Sequence, residues 1–597
     1  KMVDELSLLI VPQVKVIRNN QEITIGHEEV VLDDIMVLES GQQICLDGIV
    51  LDGQVETNEA LLTGEADPIH KSQNDQVFSG SSVISGKCYA KVLHIGNENY
   101  TSKITNEVKK AKQIQSELLN SMKKVTRFTS FMIIPLGIIL FVEAFVLRHN
   151  TLSQAVISSS AGLLGMLPKG LVLLISVSLA AGVTKLAHQK ILIQDLYSLE
   201  TLAHVDTLCL DKTGTITDGC MNVEKVHSFS TIDDEKFLEY FGSYLHFSDD
   251  NNATYQALCQ YFSLNDIHQP IHKIAFSSLR KWSAMTFENY GTIVVGAPER
   301  LMSELPESLS KTIQDGKRVI VIAYTSKTIN KDLPLPPLQP IKAVILTDTV
   351  RKDIEKTLQY FKEQSVDIKV ISGDHVLAVS QIAKKAGLEN YDRCVDMSQY
   401  DDDEHFDNIV NQYSVFGRVT PKQKRNIIQA LKRQGHTVAM TGDGVNDMLA
   451  LKEADCSIAV GAGSEAVRQM SQIVLLDSQF SYLPNVVLEG RRVVNNVTRV
   501  ASVFFIKTIY SILLTIICAI FNIPFPFIPI QITLIDLAIE AYPAFLTLLE
   551  SNTQPIKNKF LPTVIQTTLP YVLSILMCLL IILFNPSLIN VQSQHIT

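Results

Sequence analysis

The sequence predicts a multidomain α/β protein with a set of membrane helices. Five long apolar runs predict the membrane helices, and a polar segment of about 300 residues separates the second run from the third. Within that segment, strand-like apolar stretches end in acidic or glycine-rich turns, which is typical of a doubly wound sheet. Ahead of the first apolar run, short strands and glycine turns predict a small β-rich domain.

Composition limits the class of protein. The chain has 597 residues, of which 46% are hydrophobic, a high share for a wholly soluble protein. The formal net charge of −10 is spread along the chain, and without a basic block we expect no nucleic-acid partner. The nine cysteines are scattered without a Cys-x-x-Cys pair, which favours a reducing cytoplasm over disulfides or a zinc site. The first residues carry no signal-peptide pattern, and we expect the chain to start within a domain.

The first domain is predicted at residues 1–115. Val14, Val16 and the following Asn19-Asn20 pair have the pattern of a strand and a turn. Further short strands separated by glycine turns follow it. These features predict the β-rich domain that precedes the first membrane helix.

The apolar runs predict helical hairpins. A bilayer core of about 30 Å requires about 20 residues of helix. The links between the first and second runs, and between the third and fourth, are very short. Positive residues flank the segment between the second and third runs, which places that segment in the cytoplasm. The five runs are residues 128–147, 152–187 (interrupted by Pro168), 501–521, 528–549 and 568–584.

Three strand ends in the polar segment carry the residues expected to do chemistry. One predicted strand ends at Asp211, a second runs into Ser372-Gly373-Asp374, and a third runs into the turn that contains Asp443. In a doubly wound sheet such ends meet at one edge and bind ligands there. The first strand lies more than 150 residues before the next, so a domain at about residues 223–338 is inserted between them.

Asp211 is the predicted nucleophile. A carboxylate at a strand end can attack a phosphoryl group in line and form an acyl phosphate. A divalent ion must offset the charge of the two approaching anions, and Asp443 is suited to hold it together with Asp211. Ser372 and the amides around Gly373 and Asp374 can donate to phosphoryl oxygens, and Lys424 can supply a positive charge.

The position two residues after the nucleophile predicts a long-lived phosphoenzyme. Related phosphatases that hydrolyse quickly carry an Asp at this position as general acid and base, whereas this chain has Thr213. A persistent intermediate is useful to a pump, which must change shape before hydrolysis. The base must then come from elsewhere, and Glu65, in Leu62-Thr63-Gly64-Glu65 of the β-rich domain, is the candidate.

Three motifs carry a resemblance to the P-type ATPases. Asp-Lys-Thr-Gly-Thr at 211–215, Thr-Gly-Glu at 63–65 and Gly-Asp-Gly-Val-Asn-Asp at 442–447 occur in the order and spacing of that family. The resemblance implies catalytic roles for Asn446 and Asp447, a metal-binding role for Thr213, and Mg²⁺ and ATP as cofactor and substrate. It also implies domain bounds. These are an actuator domain at 1–115, membrane helices at 116–198 and 486–597, a haloacid-dehalogenase-like phosphorylation domain at 199–222 and 339–485, and an α+β nucleotide domain at 223–338.

The resemblance also implies a nucleotide site in the inserted domain. The family pattern Phe-Ser-x-x-x-Lys matches Phe276, Ser277 and Lys281, so that the ring would stack on adenine and the lysine would face the phosphates. Arg318 matches a nucleotide-contacting arginine of the family. Asp348 and Arg351 resemble an Asp-x-x-Arg element near the ATP phosphates. The family's Lys-Gly-Ala-Pro-Glu reads Val-Gly-Ala-Pro-Glu at 295–299, so one lysine is missing.

The predicted transport site combines a broken helix with two carboxylates. Pro168 cannot donate to the carbonyl of Leu164, and in the family such an unwound turn binds the cation. Calcium-type pumps often read Pro-Glu-Gly-Leu here, whereas this chain has Lys169 in place of the Glu. Asp536 and Glu540 are four residues apart, so they share one face of the fourth run, where buried carboxylates need a partner or a cation.

Two lysines complicate this prediction. Lys169 could pair with Asp536 as a fixed counter-charge, or it could indicate a different substrate or no transport. Lys507, on the third run, is expected to extend along the helix to the cytoplasmic surface. A Cys-Pro-Cys at the break would indicate a copper, zinc or cadmium pump, and this chain has none. An inorganic cation remains the predicted cargo, with calcium-type relatives nearest.

The leading hypothesis is an ATP-driven cation pump in the cell membrane, with multiple spans and cytoplasmic catalytic domains. Its partners are the transported cation and the lipid bilayer. The alternatives are a membrane-tethered phosphohydrolase, which Thr213 and Glu65 oppose, and a non-transporting ATP-binding sensor, which Lys169 favours. Family members usually have ten membrane helices, and five are predicted here, starting after the place of the family's first hairpin.

Overall fold

The computed structural model describes most of the chain and divides it into two compact units. One unit contains residues 1–112, 189–194 and 205–484, and the other contains residues 113–188, 195–204 and 485–597. The described residues are 13–40, 42–59, 69–99, 116–166, 170–229, 234–248, 250, 252–277, 280–314, 317–330, 334–402, 405–460, 465–477, 479–556 and 559–584.

The strands belong to three sheets and all lie in the first unit. In chain order they are β1 Gln13–Arg18, β2 Gln21–Gly26, β3 Ile35–Glu39, β4 Gly48–Asn58, β5 Ile69–Lys71, β6 Gln76–Val77, β7 Ser82–Val92, β8 Ile191–Ile193, β9 Thr207–Asp211, β10 Thr217–Ser228, β11 Pro270–Ser277, β12 Trp282–Phe287, β13 Gly291–Gly296, β14 Arg318–Thr325, β15 Gln339–Val350, β16 Asp367–Ile371, β17 Cys394–Asp396, β18 Val415–Gly417, β19 Val438–Gly442, β20 Cys456–Val460 and β21 Ile473–Leu475.

Helices occur in both units. In chain order they are α1 Glu117–Val142, α2 Leu152–Gly165, α3 Leu171–Ala187, α4 Ser198–Ala203, α5 Asp234–His246, α6 Ala253–Tyr261, α7 Pro298–Leu301, α8 Glu307–Gln314, α9 Ile354–Glu363, α10 Val376–Lys385, α11 Ile409–Gln412, α12 Pro421–Arg433, α13 Met448–Glu453, α14 Glu465–Met470, α15 Leu483–Phe521, α16 Pro529–Ile535, α17 Tyr542–Leu548 and α18 Phe560–Phe584.

The first sheet confirms the predicted β-rich part. Its strands run in the order β2-β1-β3-β7-β4-β5, and β6 pairs with β4. Asn19 and Asn20 form the β1–β2 turn with φ of 55° and 59°, the left-handed backbone that asparagine tolerates well. Val14 and Val16 alternate inward and join the apolar core of this sheet.

The second sheet is the predicted doubly wound sheet. Its order is β17-β18-β16-β9-β19-β20-β21-β8, and every pairing is parallel except that of β8 with β21. All five residues of β9, Thr207–Asp211, are buried. Such a fully buried strand is expected where helices cover both faces of a parallel sheet. The carboxyl end of β9 therefore lies at the centre of the edge where ligands are expected.

The third sheet is inserted between β9 and β16. It is antiparallel with the order β10-β15-β14-β13-β12-β11. The two 12-residue strands β10 and β15 pair with each other and connect this sheet to the doubly wound one. Helices α5 and α6 cover one face through an aromatic core that includes Phe237, Phe241 and Tyr244.

The second unit is helical, and four of its described helices are long and apolar enough to cross a membrane. They are Glu117–Leu147, Phe480–Phe521, Pro529–Leu548 and Phe560–Phe584, and Leu171–Ala187 is a shorter apolar helix. Many large apolar side chains on them are exposed, among them Phe131, Leu173 and Ile520. Outward-facing apolar side chains on helices of this length are expected of a protein surrounded by lipid.

Three of the predicted spans depart from regular α geometry, and the first of them ends in a π-helical turn at Glu143–Leu147. The run predicted at 152–187 is not one continuous helix, because α2 ends at Gly165 and α3 begins at Leu171, next to Gly170 with φ of 82°. The predicted break at Pro168 falls in this gap, although Pro168 itself lies outside the described residues. The fourth span contains a π-helical turn at Asp536–Ala541, between α16 and α17.

Candidate functional sites

Three strand ends bring the predicted catalytic residues to one edge of the doubly wound sheet. Ile371 pairs with Asp211 across β16 and β9, and Thr441 pairs with Leu210 across β19 and β9. Ser372 and Asp443 therefore follow directly on either side of the strand that ends in Asp211.

Lys424 joins two buried carboxylates at this edge. It lies on α12, and its Nζ is 2.7 Å from Asp211 Oδ1 and 2.5 Å from Asp447 Oδ1. All three side chains are at most 7% exposed. The other carboxylate oxygen of Asp211 accepts from the backbone N–H of Thr213 at 3.0 Å. Asp211 is thus held at both oxygens, with a positive charge beside it.

Burial and like charge raise the affinity of these carboxylates for protons. Desolvation, followed by the charge of Asp447, raises the pKa of Asp211 to about 6 despite the nearby ammonium of Lys424. Desolvation and the charges of Asp211 and Asp447 also raise the pKa of Asp443 well above its ordinary value. Burial alone would lower the pKa of Lys424, but Asp211 and Asp447 together hold it above its ordinary value. The cluster lacks enough positive charge of its own, which favours an added cation.

The carboxylates are close enough to share a metal ion. One oxygen of Asp211, one of Asp443 and one of Asp447 lie within 4.8 Å of one another. Carboxylate oxygens are ligands that Mg²⁺ prefers, so the residues fit the predicted ion. The predicted third ligand was Thr213, whose side chain is exposed, and the third clustered carboxylate is that of Asp447.

Gly214 allows Asp443 to approach the loop after Asp211. Its φ is +70°, and an added Cβ would lie 2.0 Å from Asp443 Oδ2. Only glycine leaves room for the carboxylate there. Arg351 fixes the same loop, because its guanidinium donates to the carbonyl of Gly214 at 2.7 Å and to that of Thr217 at 3.2 Å.

The contacts of Lys212 were not predicted from the sequence. Its buried ammonium lies 2.6 Å from Asp348 Oδ2 and also pairs with Asp374. Asp348 and Asp374 were predicted separately, one for nucleotide and one for the phosphoryl group, and Lys212 links them. The motif contains Lys212, but nothing in the sequence indicates that Asp348 and Asp374 are its partners. Asp374 also accepts, through its carbonyl, from the backbone of Arg418 at 2.7 Å.

Three predicted catalytic residues remain to be located. Asn446 is exposed in the turn before α13. Glu65 lies outside the described residues. Ser372 is buried, and its hydroxyl accepts from the backbone N–H of Asp374 at 3.2 Å, which shapes the turn after β16.

The predicted nucleotide residues of the inserted sheet lie on two separate strands. Phe276 is half-buried on β11, and Ser277 donates to Glu56 Oε1 at 2.7 Å. Lys281 follows β11, is 51% exposed, and pairs with Glu299 at 3.1 Å. Arg318 begins β14 and donates to Thr254 at 3.0 Å. Because β12 and β13 lie between them, β11 and β14 are about 14 Å apart.

In the helical unit, the two predicted carboxylates converge on Lys507. Its Nζ lies 2.5 Å from Asp536 Oδ1 and 3.0 Å from Glu540 Oε2. Lys507 is 3% exposed, so the prediction that it extends to the cytoplasmic surface is wrong. The physical reason is that two carboxylates on the neighbouring span lie within ion-pair distance of the ammonium. Leu164 is half-buried near the end of α2, and Pro168 and Lys169 lie outside the described residues.

Two family models match the first unit. A model described as the P-type ATPase actuator domain matches residues 8–109. A model described as a haloacid dehalogenase-like hydrolase matches residues 205–455, which include β9 and β16 to β19 of the doubly wound sheet and the whole inserted sheet.

A solved structure and curated proteins are similar over most of the chain. The crystal structure of a zinc-transporting PIB-type ATPase has a TM-score of 0.60 at 17% identity and covers 92% of this chain and 83% of its own, which shows the fold. A calcium-transporting ATPase from Mycobacterium bovis is 36% identical over 95% of this chain and 73% of its own length. These relatives support the pump prediction, and none supports the phosphohydrolase or sensor alternative.

Similarity to a further bacterial protein shows the family of this chain. A probable cation-transporting ATPase from Streptococcus pneumoniae is 44% identical over 594 residues, which are 97% of this chain and 76% of that protein. Identity at this level over nearly the whole chain, together with the actuator match, shows that the chain belongs to the P-type ATPases.

Proposed function

We propose that this P-type ATPase moves a calcium-type inorganic cation and forms its phosphoenzyme on Asp211. The observation that carries the proposal is the cluster at the end of β9. There Asp211 is held by Lys424 and lies beside Asp443 and Asp447. A relative named as a calcium-transporting ATPase, 36% identical to this chain, supports the choice of ion.

Phosphoryl transfer begins with Asp211. A carboxylate oxygen of Asp211 attacks the γ-phosphorus of ATP, the bond from that phosphorus to the β–γ bridging oxygen breaks, and ADP leaves with the electron pair. Lys424 offsets the charge of the incoming phosphoryl group, and Ser372 and the turn amides around Asp374 donate to its oxygens. Mg²⁺, when bound by Asp211, Asp443 and Asp447, neutralises phosphate charge. Asn446 and Thr213 complete the proposed set at this edge.

Hydrolysis of the phosphoenzyme is proposed to need Glu65. Thr213 cannot accept a proton from water, because a hydroxyl is too weak a base. Glu65 accepts that proton while the water oxygen attacks the phosphorus and the aspartyl oxygen leaves. General-base help of this kind is typically worth about 10²–10⁴-fold. Dephosphorylation therefore waits until the β-rich domain brings Glu65 to Asp211.

Nucleotide binding is assigned to the inserted sheet and the loop beside Asp211. Phe276 and Ser277 contact the base, and Lys281 and Arg318 contact the sugar and the phosphates. Asp348 and Arg351 position the loop that carries Asp211. The support for this last role is the pair of hydrogen bonds from Arg351 to the carbonyls of Gly214 and Thr217.

The cation site is proposed between the broken second run and the π-helical turn. Leu164 and Pro168 supply the freed carbonyl, Lys169 lies beside it, and Asp536 and Glu540 supply charge. A π-helical turn contains one more residue than an α-helical turn, which changes the directions of the side chains around it, and such turns are frequent at functional sites. The turn at Asp536–Ala541 directs both carboxylates to one ammonium, which supports a site there.

An ion scan tests this function. We expect Ca²⁺ to stimulate ATP hydrolysis by the purified full chain in lipid nanodiscs more than Mn²⁺, Na⁺, K⁺ or added Mg²⁺. The Asp211→Asn variant should show no stimulation by any ion, which controls for contaminating ATPases. Stimulation by another ion alone would overturn the calcium-type assignment. If no ion stimulates ATP hydrolysis, the proposal that the protein is a cation pump is overturned.

A further inference from the structure

Strand β4 of the first sheet and strand β11 of the inserted sheet meet through a hydrogen bond between two side chains. Ser277, the serine of the proposed nucleotide motif, donates its hydroxyl to Glu56 Oε1 at 2.7 Å. We propose that Glu56 is an autoinhibitory ligand, which occupies Ser277 in place of the nucleotide and must leave before ATP binds there. This inference rests on the proposed nucleotide site and adds a competitor from the β-rich domain.

The first sheet holds the carboxylate of Glu56 in place for this contact. Glu56 and Ser85 lie opposite each other on the paired strands β4 and β7. Ser85 is 2% exposed, and its hydroxyl donates to Glu56 Oε2 at 2.9 Å. The two carboxylate oxygens therefore accept one hydroxyl from their own sheet and one from the inserted sheet. Hydrogen bonds to an ionised carboxylate are about twice as strong as neutral ones, so the contact favours the docked arrangement.

The contact also closes the surface around Ser277. Only 6% of this serine is exposed, although a nucleotide must reach it. Gly86, which follows Ser85 on β7, lines a small cavity together with Ala275 of β11 and Ser283 of β12. The volume of this cavity is about 10 Å³, which is room for one water molecule at most. A nucleotide base therefore cannot enter beside β11 while the two sheets are docked.

Hydrogen bonding and charge explain why Glu56 and the nucleotide exclude each other. A serine hydroxyl has a single proton to donate, so Ser277 cannot donate to Glu56 and to a nucleotide at once. ATP is an anion, and a carboxylate 2.7 Å from the hydroxyl of Ser277 would also repel its phosphates. By linkage, ATP weakens the docking of β4 on β11 by the same factor as docking weakens ATP binding.

Two substitutions of Glu56 separate a competitor from a structural hydrogen bond. Glu56→Ala removes the competing ligand and leaves the nucleotide motif unchanged, so the Kd for MgATP should fall at least about fivefold. Glu56→Gln keeps an acceptor but loses the charge, so its Kd should lie between those of the parent and Glu56→Ala. A purely structural bond predicts lower thermal stability in both variants with a Kd that is unchanged or raised.

Asp52→Asn is the matched control. Asp52 is an exposed carboxylate on the same strand, β4, so this variant loses one negative charge from the first sheet without changing the contact with Ser277. Its Kd for MgATP should equal that of the parent. A fall as large as that in Glu56→Gln would assign the effect to the overall charge of the sheet and overturn the role of the contact.

The experiment measures MgATP binding by calorimetry on the full chain in nanodiscs, with Asp211→Asn in every sample so that ATP is not consumed. Phe276→Ala tests the nucleotide site itself and should raise the Kd. If it does, and Glu56→Ala leaves the Kd unchanged or raises it, Glu56 is not a competitor, although the nucleotide site stands. If Glu56→Ala does not fold, Glu56→Gln decides, and an unchanged Kd in that variant would overturn the inference. If Phe276→Ala leaves the Kd unchanged, the proposed nucleotide site fails, and the inference fails with it.

Discussion

Lys424 supplies the positive charge that offsets the carboxylates at the end of β9. It is the ammonium that contacts both Asp211 and Asp447, and all three side chains are buried. A buried carboxylate without such a partner would take up a proton and lose its strength as a nucleophile. The proposed nucleophile, Asp211, is therefore held with its counter-charge before any substrate arrives, which is the kind of preorganisation that catalysis needs.

Gly214 provides a sharp test of the carboxylate cluster. We expect Gly214→Ala to lower the rate of phosphoenzyme formation by at least about 100-fold, since a Cβ 2.0 Å from Asp443 Oδ2 displaces a metal ligand. Gly219→Ala is the matched control, because Gly219 has φ of +80° but no atom within 4 Å of an added Cβ. Both variants carry similar backbone strain, so only Gly214→Ala should lose labelling from ATP. Equal losses in the two variants would assign the effect to strain.

The response to Mg²⁺ should depend on pH. The pKa of Asp211 is raised from 3.8 to about 6, so the folded protein binds more protons than the unfolded one between these values. The unfolding free energy of the metal-free protein should therefore fall as pH rises through that window. Mg²⁺ neutralises the ionised carboxylates, so it should raise the melting temperature more near pH 7.5 than near pH 5, where protons compete. Thermal unfolding of the full chain with and without Mg²⁺ measures this, and an equal rise at both pH values would contradict it.

Individual elements differ in how well the sequence predicts them. The strand ends at Asp211, Ser372 and Asp443 were predictable, because a buried strand followed by an acidic or glycine-rich turn is a local pattern. The partners of Lys212 and Lys507 were not, because they lie on elements far away in the chain. The π-helical turn at Asp536–Ala541 was also unpredicted, since an extra residue in a helical turn leaves the apolar pattern nearly unchanged. Helix α1 begins at Glu117, well before the apolar run predicted from residue 128, because the polar residues in its first turns, such as Lys123, Lys124 and Arg127, interrupt the apolar pattern.

Helix α12 positions Lys424, and its first turn can be tested separately. Thr420 caps the helix by accepting from the N–H of Gln423 at 3.1 Å, and Gln423 returns a bond to the N–H of Thr420. We expect Thr420→Val to cost about 1 kcal/mol of local stability and to lower the rate of phosphoenzyme formation, because Lys424 is one turn from the cap. Thr420→Ser keeps the hydroxyl and should behave like the parent. Phosphorylation rates and melting temperatures of both variants measure this, and a parent-like Val variant would show that the cap does not position Lys424.

At the scale of the whole molecule, the chain is an ATP-hydrolysing translocase of the P-type family and a multi-pass membrane protein with cytoplasmic catalytic domains. The proposed phosphorylation site at Asp211 belongs to one unit, and the proposed ion site at Asp536 and Glu540 belongs to the other. A pump of this kind works only if phosphorylation in one unit changes ion affinity in the other. We propose that Thr213, in place of a local base, lets the phosphoenzyme persist long enough for such a change.

The role of Asp211 is tested most directly by labelling the full chain with γ-³²P-ATP and Mg²⁺, followed by acid quench and peptide mapping. An acyl phosphate is stable in acid and is released by alkali or hydroxylamine. We expect such a label on the peptide containing Asp211, and none in Asp211→Asn, because an amide is a poor nucleophile. Asp367→Asn is the control, since Asp367 is at the opposite end of the neighbouring strand β16 and should be labelled like the parent. Undiminished labelling of Asp211→Asn, or an acid-stable label on another residue, would contradict the assignment of Asp211 as the phosphoryl acceptor.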